Sequence, residues 1–413
     1  MLSIEEINKL LGVDESYKAS SVLFKKLMSK DERQKLFKVF LAKETDLTFD
    51  WFTDYFQEEH SDRKKNKQDF TPDGVVTLVN RLLGSTQFNA DICAGTGGLT
   101  IKRWSENKEA HIYCEEYSDR AMPFLLFNLA IRNMDAVVFH GDSLTRKAKG
   151  YYRIEPGKQF ADIQKIDDLA VAKAETVVMN PPYSFKWKPV KEMLDEPRFK
   201  PFGVLAPKSK ADFAFLLEGL NRLSDVGTMA IILPHGVLFR GQAEGKIRRQ
   251  LLELGYIDTA IGLPEKLFFN TDVPTVIVVL KRHKADDNVF FIDASKEFTK
   301  GKNRNYLEPQ HIDRILTTYH NRVDVDKFAH LATLDEIKDN DFNLNIPRYV
   351  DTYEPEPIPS LTEITADLQQ IDQEIKAESK AFGATLSQLV GTNAEADRKI
   401  KAFTKYWSDR FND

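Results

Sequence analysis

Apolar residues recur at helical spacing through residues 1–60, at Ile4, Ile7, Leu10 and Leu11 and again at Leu23, Leu27, Leu36, Phe37 and Phe40, which predicts a group of amphipathic helices. Trp51 and Phe52 read as part of their core. The polar, basic stretch from His60 to Gln68 marks a boundary, so residues 1–65 are expected to form an N-terminal helical domain. From about residue 70 to 282 the rhythm changes to short apolar runs alternating with helical stretches. The runs Phe88–Cys93, Ala110–Glu115, Ala136–His140, Thr176–Met179, Thr228–Leu233, Tyr256–Gly262 and Thr275–Lys281 predict strands. Pro72–Leu83, Gly98–Ser105, Asp119–Arg132, Ala211–Leu223 and Glu244–Leu254 predict the helices between them. This is the pattern of an α/β, doubly wound, Rossmann-like and mainly parallel sheet, whose ligands sit at the carboxyl ends of the strands. Asn288–Ile292 predicts a further strand, and residues 300–345 are mostly helical. Glu354 to Pro359 holds three prolines and reads as a semi-rigid linker. Beyond it Leu361, Ile364, Leu368, Ile371 and Ile375 repeat near a 3.5 period, as in a long exposed helix suited to a partner.

Composition narrows the picture. The 413 residues carry 58 Lys and Arg against 63 Asp and Glu, a net charge of −5, so a polyanion partner would have to be met by local positive charge. Two cysteines, Cys93 and Cys114, provide neither a disulfide framework nor a four-ligand zinc site, and the eight histidines show no metal spacing, so no catalytic metal is expected. The first residues lack the basic and apolar regions of a signal peptide, and no run is long enough to span a membrane. The expected location is the cytoplasm.

The first chemical motif is Asp91-Ile-Cys-Ala-Gly-Thr-Gly-Gly98, directly after a predicted strand and before a helix. Gly95, Gly97 and Gly98 let the backbone turn tightly and approach a ligand at the following helix N-terminus. Alone this is a tight turn. The next strand ends in Cys114-Glu115-Glu116, where an acidic side chain can accept from both hydroxyls of a ribose, and the third ends in His140-Gly-Asp142, where Asp142 can accept from an adenine amino group. Together these describe an adenosine-containing cofactor, without separating a nicotinamide from S-adenosylmethionine.

Asn180-Pro181-Pro182-Tyr183 makes that separation, since it follows the strand Thr176–Met179 on the same edge. Two prolines fix φ and remove two backbone donors. The Asn180 side-chain oxygen and the Pro181 carbonyl can grip both hydrogens of one planar amino group and favour its pyramidal, nucleophilic form. The ring of Tyr183 can stack on a flipped-out base. Covalent attack on cytosine C5 needs a thiolate, usually in a Pro-Cys pair, whereas Cys93 and Cys114 follow Ile92 and Tyr113 and read as strand-end core residues. His140 and His235 read as packing residues near the active edge.

With these motifs in place, the chain resembles an adenine-N6 DNA methyltransferase, specifically the modification (M) subunit of type I restriction–modification systems. Lys67-Gln68-Asp-Phe70-Thr71-Pro72 is similar to the family segment that closes over the methionine end of the cofactor, and Asp212-Phe-Ala-Phe215 resembles the helix that shapes the target-base pocket. Leu233-Pro-His-Gly-Val-Leu-Phe-Arg240, continuing through Glu244 to Arg248, and Asn343-Leu-Asn-Ile-Pro-Arg-Tyr-Val350 resemble segments particular to this family. The resemblance implies a methyltransferase domain over residues 66–350 and a linker and helical tail for subunit contact over 351–413. It implies S-adenosylmethionine as cofactor, held by Gln68, Phe70, Thr71, Pro72, Asp91, Cys93, Gly95, Thr96, Gly97, Gly98, Glu116 and Asp142, with Asn180, Pro181, Pro182 and Tyr183 catalytic. It also implies double-stranded DNA as substrate, a specificity (S) subunit with two M chains per S, and a restriction (R) subunit as a further possible partner. Phe is commoner than Tyr at position 183 in the family.

Three basic clusters offer DNA contacts: Arg63, Lys64, Lys65 and Lys67; seven basic residues against three acidic ones in Ser184–Lys210; and Arg240, Lys246, Arg248 and Arg249. Three other readings stay open: a solitary DNA adenine methyltransferase, a methyltransferase of protein glutamine or RNA using the same four-residue motif, and a non-catalytic scaffold.

Overall fold

A computed structural model describes residues 2–59, 70–170, 172–268, 273–353 and 359–411. Residues 1–352 form one compact unit and residues 353–413 a second. The linker residues 354–358 and the basic cluster from Arg63 to Lys67 lie outside the described residues.

The first unit is built on a sheet of 11 strands in the order β13-β10-β8-β9-β7-β6-β1-β2-β3-β4-β5. Its strands are β1 (Phe88–Ile92), β2 (His111–Glu116), β3 (Asp135–Gly141), β4 (Ala148–Glu155), β5 (Asp162–Ile166), β6 (Ala174–Met179), β7 (Leu223–Pro234), β8 (Ile257–Gly262), β9 (Thr275–Lys281), β10 (Val289–Asp293) and β13 (Ala329–Ala332), with β11 (Thr299–Lys300) and β12 (Asn305–Tyr306) in a separate ribbon. The central strands are almost wholly buried, as expected of strands covered on both faces. β1 runs parallel to both β2 and β6, so the strand order reverses at β1 and opens a crevice at its carboxyl end.

The expectation of a mainly parallel sheet needs correction. Five strand pairings are parallel and five antiparallel. The unanticipated strands β4 and β5 carry Lys149, Arg153, Gln164 and Lys165, so their half-buried alternation reads as polar loop rather than strand. β13, only four residues long, lacks a sequence signal of its own.

Helices α1 (Ile4–Leu11), α2 (Ala19–Met28), α3 (Lys30–Leu41) and α4 (Thr53–Glu59) precede the sheet. Ser3 and Glu6 close a capping box on α1, and Gly12 ends it with φ +72°. Helices α5 (Asp73–Leu83), α6 (Gly98–Glu106), α7 (Met122–Ile131), α8 (Asp212–Arg222), α9 (Gln242–Glu253), α10 (Pro309–Asn321) and α11 (Leu334–Asp339) follow. Every residue of α7 is buried. One face lies on the strands, and the N-terminal helices cover the other: Phe37, Phe40 and Phe52 meet Phe127 at 4.8–5.0 Å, and Phe52 meets Phe124 at 4.9 Å. Trp51 and Phe52 are buried as expected, but in the turn before α4 rather than in a helix.

The second unit is a hairpin of two helices, α12 (Leu361–Ser387) and α13 (Ala394–Phe411), where one long helix was expected. Trp407 joins them: its indole N–H donates to the Ser379 carbonyl (2.9 Å) and its ring packs on Phe382. Among the described residues no helix is long and apolar enough to cross a membrane.

Candidate active site

The carboxyl ends of β1, β2, β3 and β6 surround a cavity of about 290 Å³. The loop after β1 holds Cys93 at φ +81°, Gly95 at +60° and Gly97 at +100°. A Cβ on Gly97 would come within 3.0 Å of Leu125, so both the backbone angle and the close packing call for glycine there. The Cys93 and Ala94 N–H groups donate to the Glu115 carbonyl, which ties the loop to β2.

Glu116 closes this turn from the other side. Its carboxylate accepts from Gly95 N (2.7 Å) and Ser118 N (2.6 Å) and faces the cavity. Burial pushes its pKa up to about 7, against the pull of those two N–H groups. Asp142, at the end of β3, accepts from Leu144 N (2.9 Å) and Thr145 N (3.2 Å) and also lines the cavity.

Asn180 follows β6. Its Nδ2 donates to Thr71 Oγ1 (2.9 Å) and its Oδ1 accepts from the Tyr183 hydroxyl (2.8 Å), so the carboxamide is held by residues on both sides. The Tyr183 ring packs edge-on against Phe268. The exit of this turn is fixed by Asp212 of α8, fully buried, whose Oδ1 accepts from Ser184 N (2.7 Å) and whose Oδ2 accepts from Arg240 (2.7 Å). Three sequence segments thereby meet at one carboxylate: the Asn-Pro-Pro-Tyr turn, the Asp-Phe-Ala-Phe helix and the segment ending in Arg240.

Phe70, Thr71, Cys93, Gly95, Gly98, Glu116 and Asp142 line the cavity with Asn180, Pro181, Pro182 and Tyr183. Pro72, Asp91, Thr96 and Gly97 were expected there and are not among the lining residues. Pro72 begins α5. Asp91 lies beneath the loop, where it accepts from Thr100 Oγ1 (2.6 Å) on α6, and burial pushes its pKa up to about 7. The Thr96 hydroxyl donates to Asp50 (2.5 Å), away from the cavity. Gln68 lies outside the described residues. Cys114 is buried, as expected, while Cys93 is partly exposed on the cavity wall. His140 and His235 do not line the cavity, and burial lowers the pKa of both.

Several lining residues carried no assigned role in the sequence. Phe185 and Trp187 directly follow the Asn-Pro-Pro-Tyr turn, beside Lys186 and Lys188 of the basic segment, and their position next to that turn was a usable signal. Thr53, Tyr117, Leu99 and the backbone run Ser143–Thr145 were legible only in three dimensions.

The basic clusters divide. Lys186, Lys188, Lys191, Lys200 and Lys208 are exposed, but Arg198 is buried. Its guanidinium pairs with Glu218 (2.8 Å) and donates to the carbonyls of Ser143 and Leu144, so it braces the loop beside Asp142 and is removed from the DNA-facing set. Arg240 pairs with Asp212 and lies 3.1 Å from Glu244, and Arg248 is buried on the carbonyls of Val237, Arg240 and Phe342. Only Lys246 and Arg249 of that third cluster are exposed. The C-terminal signature is also structural: Tyr349 stacks on Phe291 of β10 at 4.0 Å, and Leu344 N donates to the Leu238 carbonyl.

An α/β sheet whose switch-point crevice joins a glycine loop, two strand-end acids and an Asn-Pro-Pro-Tyr turn defines the class of Rossmann-like methyltransferase folds. The sequence profile of the N-6 DNA methylase family matches residues 18–357, and the chain belongs to that family. It is similar to the type I restriction enzyme MpnII methylase subunit of Mycoplasma pneumoniae, 31% identical over 70% of this chain and 54% of that protein. It is likewise similar to the MjaVII methylase subunit of Methanocaldococcus jannaschii, 28% identical over 83% of this chain and 58% of that protein. The chain therefore spans a little over half the length of these relatives. Among solved structures, the type I restriction–modification methyltransferase subunit of Streptococcus thermophilus is 36% identical with a TM-score of 0.65, over 84% of this chain and 76% of that one.

Proposed function

We propose that this chain is the modification subunit of a type I restriction–modification system, a cytoplasmic enzyme that methylates N6 of adenine in double-stranded DNA from S-adenosylmethionine. The observation that carries the reading is that the Asn-Pro-Pro-Tyr turn, the glycine loop and the strand-end acids Glu116 and Asp142 open into one cavity.

The lining residues fit the cofactor. Glu116 offers a buried acceptor at the distance of one strand from the glycine loop, suited to vicinal ribose hydroxyls; Asp142 offers an acceptor beyond it for the adenine amino group; Phe70 and Leu99 provide apolar wall. When bound, S-adenosylmethionine supplies a methyl group on a positively charged sulfur. The chain's own task is to present an amine to it. Thr71 fixes the Asn180 carboxamide and sets the direction of Oδ1. Oδ1 accepts from the Tyr183 hydroxyl and is the acceptor for one hydrogen of the target amine, with the other hydrogen on the Pro181 carbonyl. Gripping both hydrogens favours the pyramidal amine and stabilises the transition state over the planar ground state. A duplex base reaches this turn only by flipping out, and the Tyr183 ring gives it a stacking surface.

The exposed lysines at 186, 188, 191, 200 and 208 supply phosphate contacts next to the turn. They read no sequence. That role falls to a specificity subunit, with two copies of this chain per specificity chain, and α12, with Leu368, Ile371 and Ile375 about half exposed, is the surface offered to it. A restriction subunit would complete the nuclease form of the complex. By this domain reading, residues 1–65 are a helical region, 66–350 the catalytic domain and 351–413 the assembly tail.

The test is Asn180→Ala. Adenine methylation is expected to fall at least about a hundredfold while S-adenosylmethionine affinity stays within about twofold, since one preorganised polar contact to the transition state is worth roughly 3–4 kcal/mol. Unchanged methylation would remove the role given to Asn180. Labelled methyl appearing in protein or RNA and never in DNA would move the chemistry to the other acceptor classes.

A further inference from the structure

The N-terminal helices reach the cavity. Thr53, at the start of α4, lines it, and two ties hold it beside the glycine loop: Phe56 packs edge-on against Phe70 at 5.4 Å, and Asp50 binds Thr96. Asp50 is buried and accepts four donors, Phe52 N (3.0 Å), Thr53 Oγ1 (3.0 Å), Thr96 Oγ1 (2.5 Å) and Asn128 Nδ2 (2.7 Å). Asn128 Nδ2 also donates to the Thr96 carbonyl (2.8 Å). One carboxylate thus binds the turn before α4, the glycine loop and α7 together.

The direction of the Thr53 bond matters. A hydroxyl has one proton and two lone pairs, and the Thr53 proton is committed to Asp50, so Thr53 presents acceptors to the cavity. Two other groups beside the glycine loop are donors: the N–H groups at the start of the helix that follows it, and the Thr71 hydroxyl of the segment expected over the methionine end, whose oxygen already accepts from Asn180. Donors suit a carboxylate. A methionine moiety also carries an α-ammonium, which needs acceptors.

We propose that Thr53, oriented by Asp50, is a further cofactor-binding residue whose hydroxyl accepts a hydrogen bond from the α-ammonium of S-adenosylmethionine. The inference rests on reading the cavity as the cofactor site, and it makes the N-terminal helices a wall of that site.

Calorimetric titration of the full chain with S-adenosylmethionine and with 5′-methylthioadenosine, which lacks the amino-acid group, tests it. Thr53→Val removes the acceptor with little change of shape. It is expected to bind S-adenosylmethionine about tenfold more weakly, the effect of losing one hydrogen bond to a charged group, with 5′-methylthioadenosine affinity unchanged. Retained 5′-methylthioadenosine binding is also the check that the variant folds. Thr53→Ser keeps the hydroxyl and is expected to restore wild-type affinity. Thr53→Val binding both ligands like wild type, or losing affinity for both equally, would overturn the assignment. A wild-type chain that binds neither ligand would overturn the cofactor reading, and the inference with it.

Discussion

The two ends of the chain are both amphipathic helices in sequence, and the structure treats them differently. At the N-terminal end Leu23, Leu27, Phe37, Phe40 and Phe52 are fully buried against α7, and Asp50 and Thr53 reach the glycine loop and the cavity. At the C-terminal end Leu368, Ile371, Ile375 and Phe382 are 45–57% exposed, although α12 is 27 residues long and capped at its start by Ser360 and Glu363. Apolar spacing announces that a face will be covered; it does not say by what. The N-terminal face is covered by a helix of the same chain. The C-terminal helix is covered only in part, where Trp407 packs on Phe382, and Leu368, Ile371 and Ile375 stay about half exposed.

The largest expected difference follows from deletion. Removing residues 1–59 uncovers the aromatic face of α7 and removes Asp50, so the remainder is expected to lose its cooperative thermal transition. Removing residues 353–413 is expected to leave the midpoint within about 2 °C, because few buried groups are lost. A cooperative transition in the first chain would break the comparison. A smaller step of the same kind is Phe127→Ala, which truncates a ring touched by Phe37, Phe40, Trp51 and Phe52 and is expected to cost about 3–5 kcal/mol in chemical denaturation. Leu368→Ala and Ile375→Ala on α12 are expected to change stability by less than about 0.5 kcal/mol while weakening capture by the specificity subunit.

The site itself responds to pH. Glu116 has its pKa raised to about 7 from the usual 4.5, so it binds a proton more readily folded than unfolded. The sign is that stability from this group is present below about 4.5 and is progressively lost as pH rises to about 7, where the buried carboxylate ionises. Cofactor affinity runs the opposite way, since the ribose hydroxyls need the ionised acceptor. Affinity for S-adenosylmethionine is expected to weaken by up to about tenfold per unit below pH 7, a dependence that Glu116→Gln abolishes and that calorimetry at pH 6, 7 and 8 would read.

Much of this was legible in the sequence. The central strands announced themselves as short, mostly apolar runs between helical stretches, and the glycine loop, Glu116, Asp142 and Asn180-Pro-Pro-Tyr183 fall at one edge because strand ends in a doubly wound sheet share that edge. The outer strands β4 and β5, of which β5 is the edge, were hidden by their charged, half-exposed alternation. The basic clusters misled because a guanidinium in sequence looks the same whether it meets phosphate or a buried carboxylate; only the fold brings Glu218 to Arg198 and Asp212 to Arg240. Thr53 was silent for a similar reason, since its neighbours Asp50, Thr96 and Asn128 are scattered along 79 residues and converge only when α7 packs on the N-terminal helices.

The central claim is adenine-N6 chemistry at the Asn180 turn. Incubating the chain, its specificity subunit, duplex DNA and isotope-labelled S-adenosylmethionine, then resolving the digested nucleosides by mass spectrometry, tests it most directly. Label is expected in N6-methyladenine and none in methylated cytosine. Label in a cytosine derivative, or DNA left unlabelled by a complex that binds both the cofactor and DNA, would contradict it.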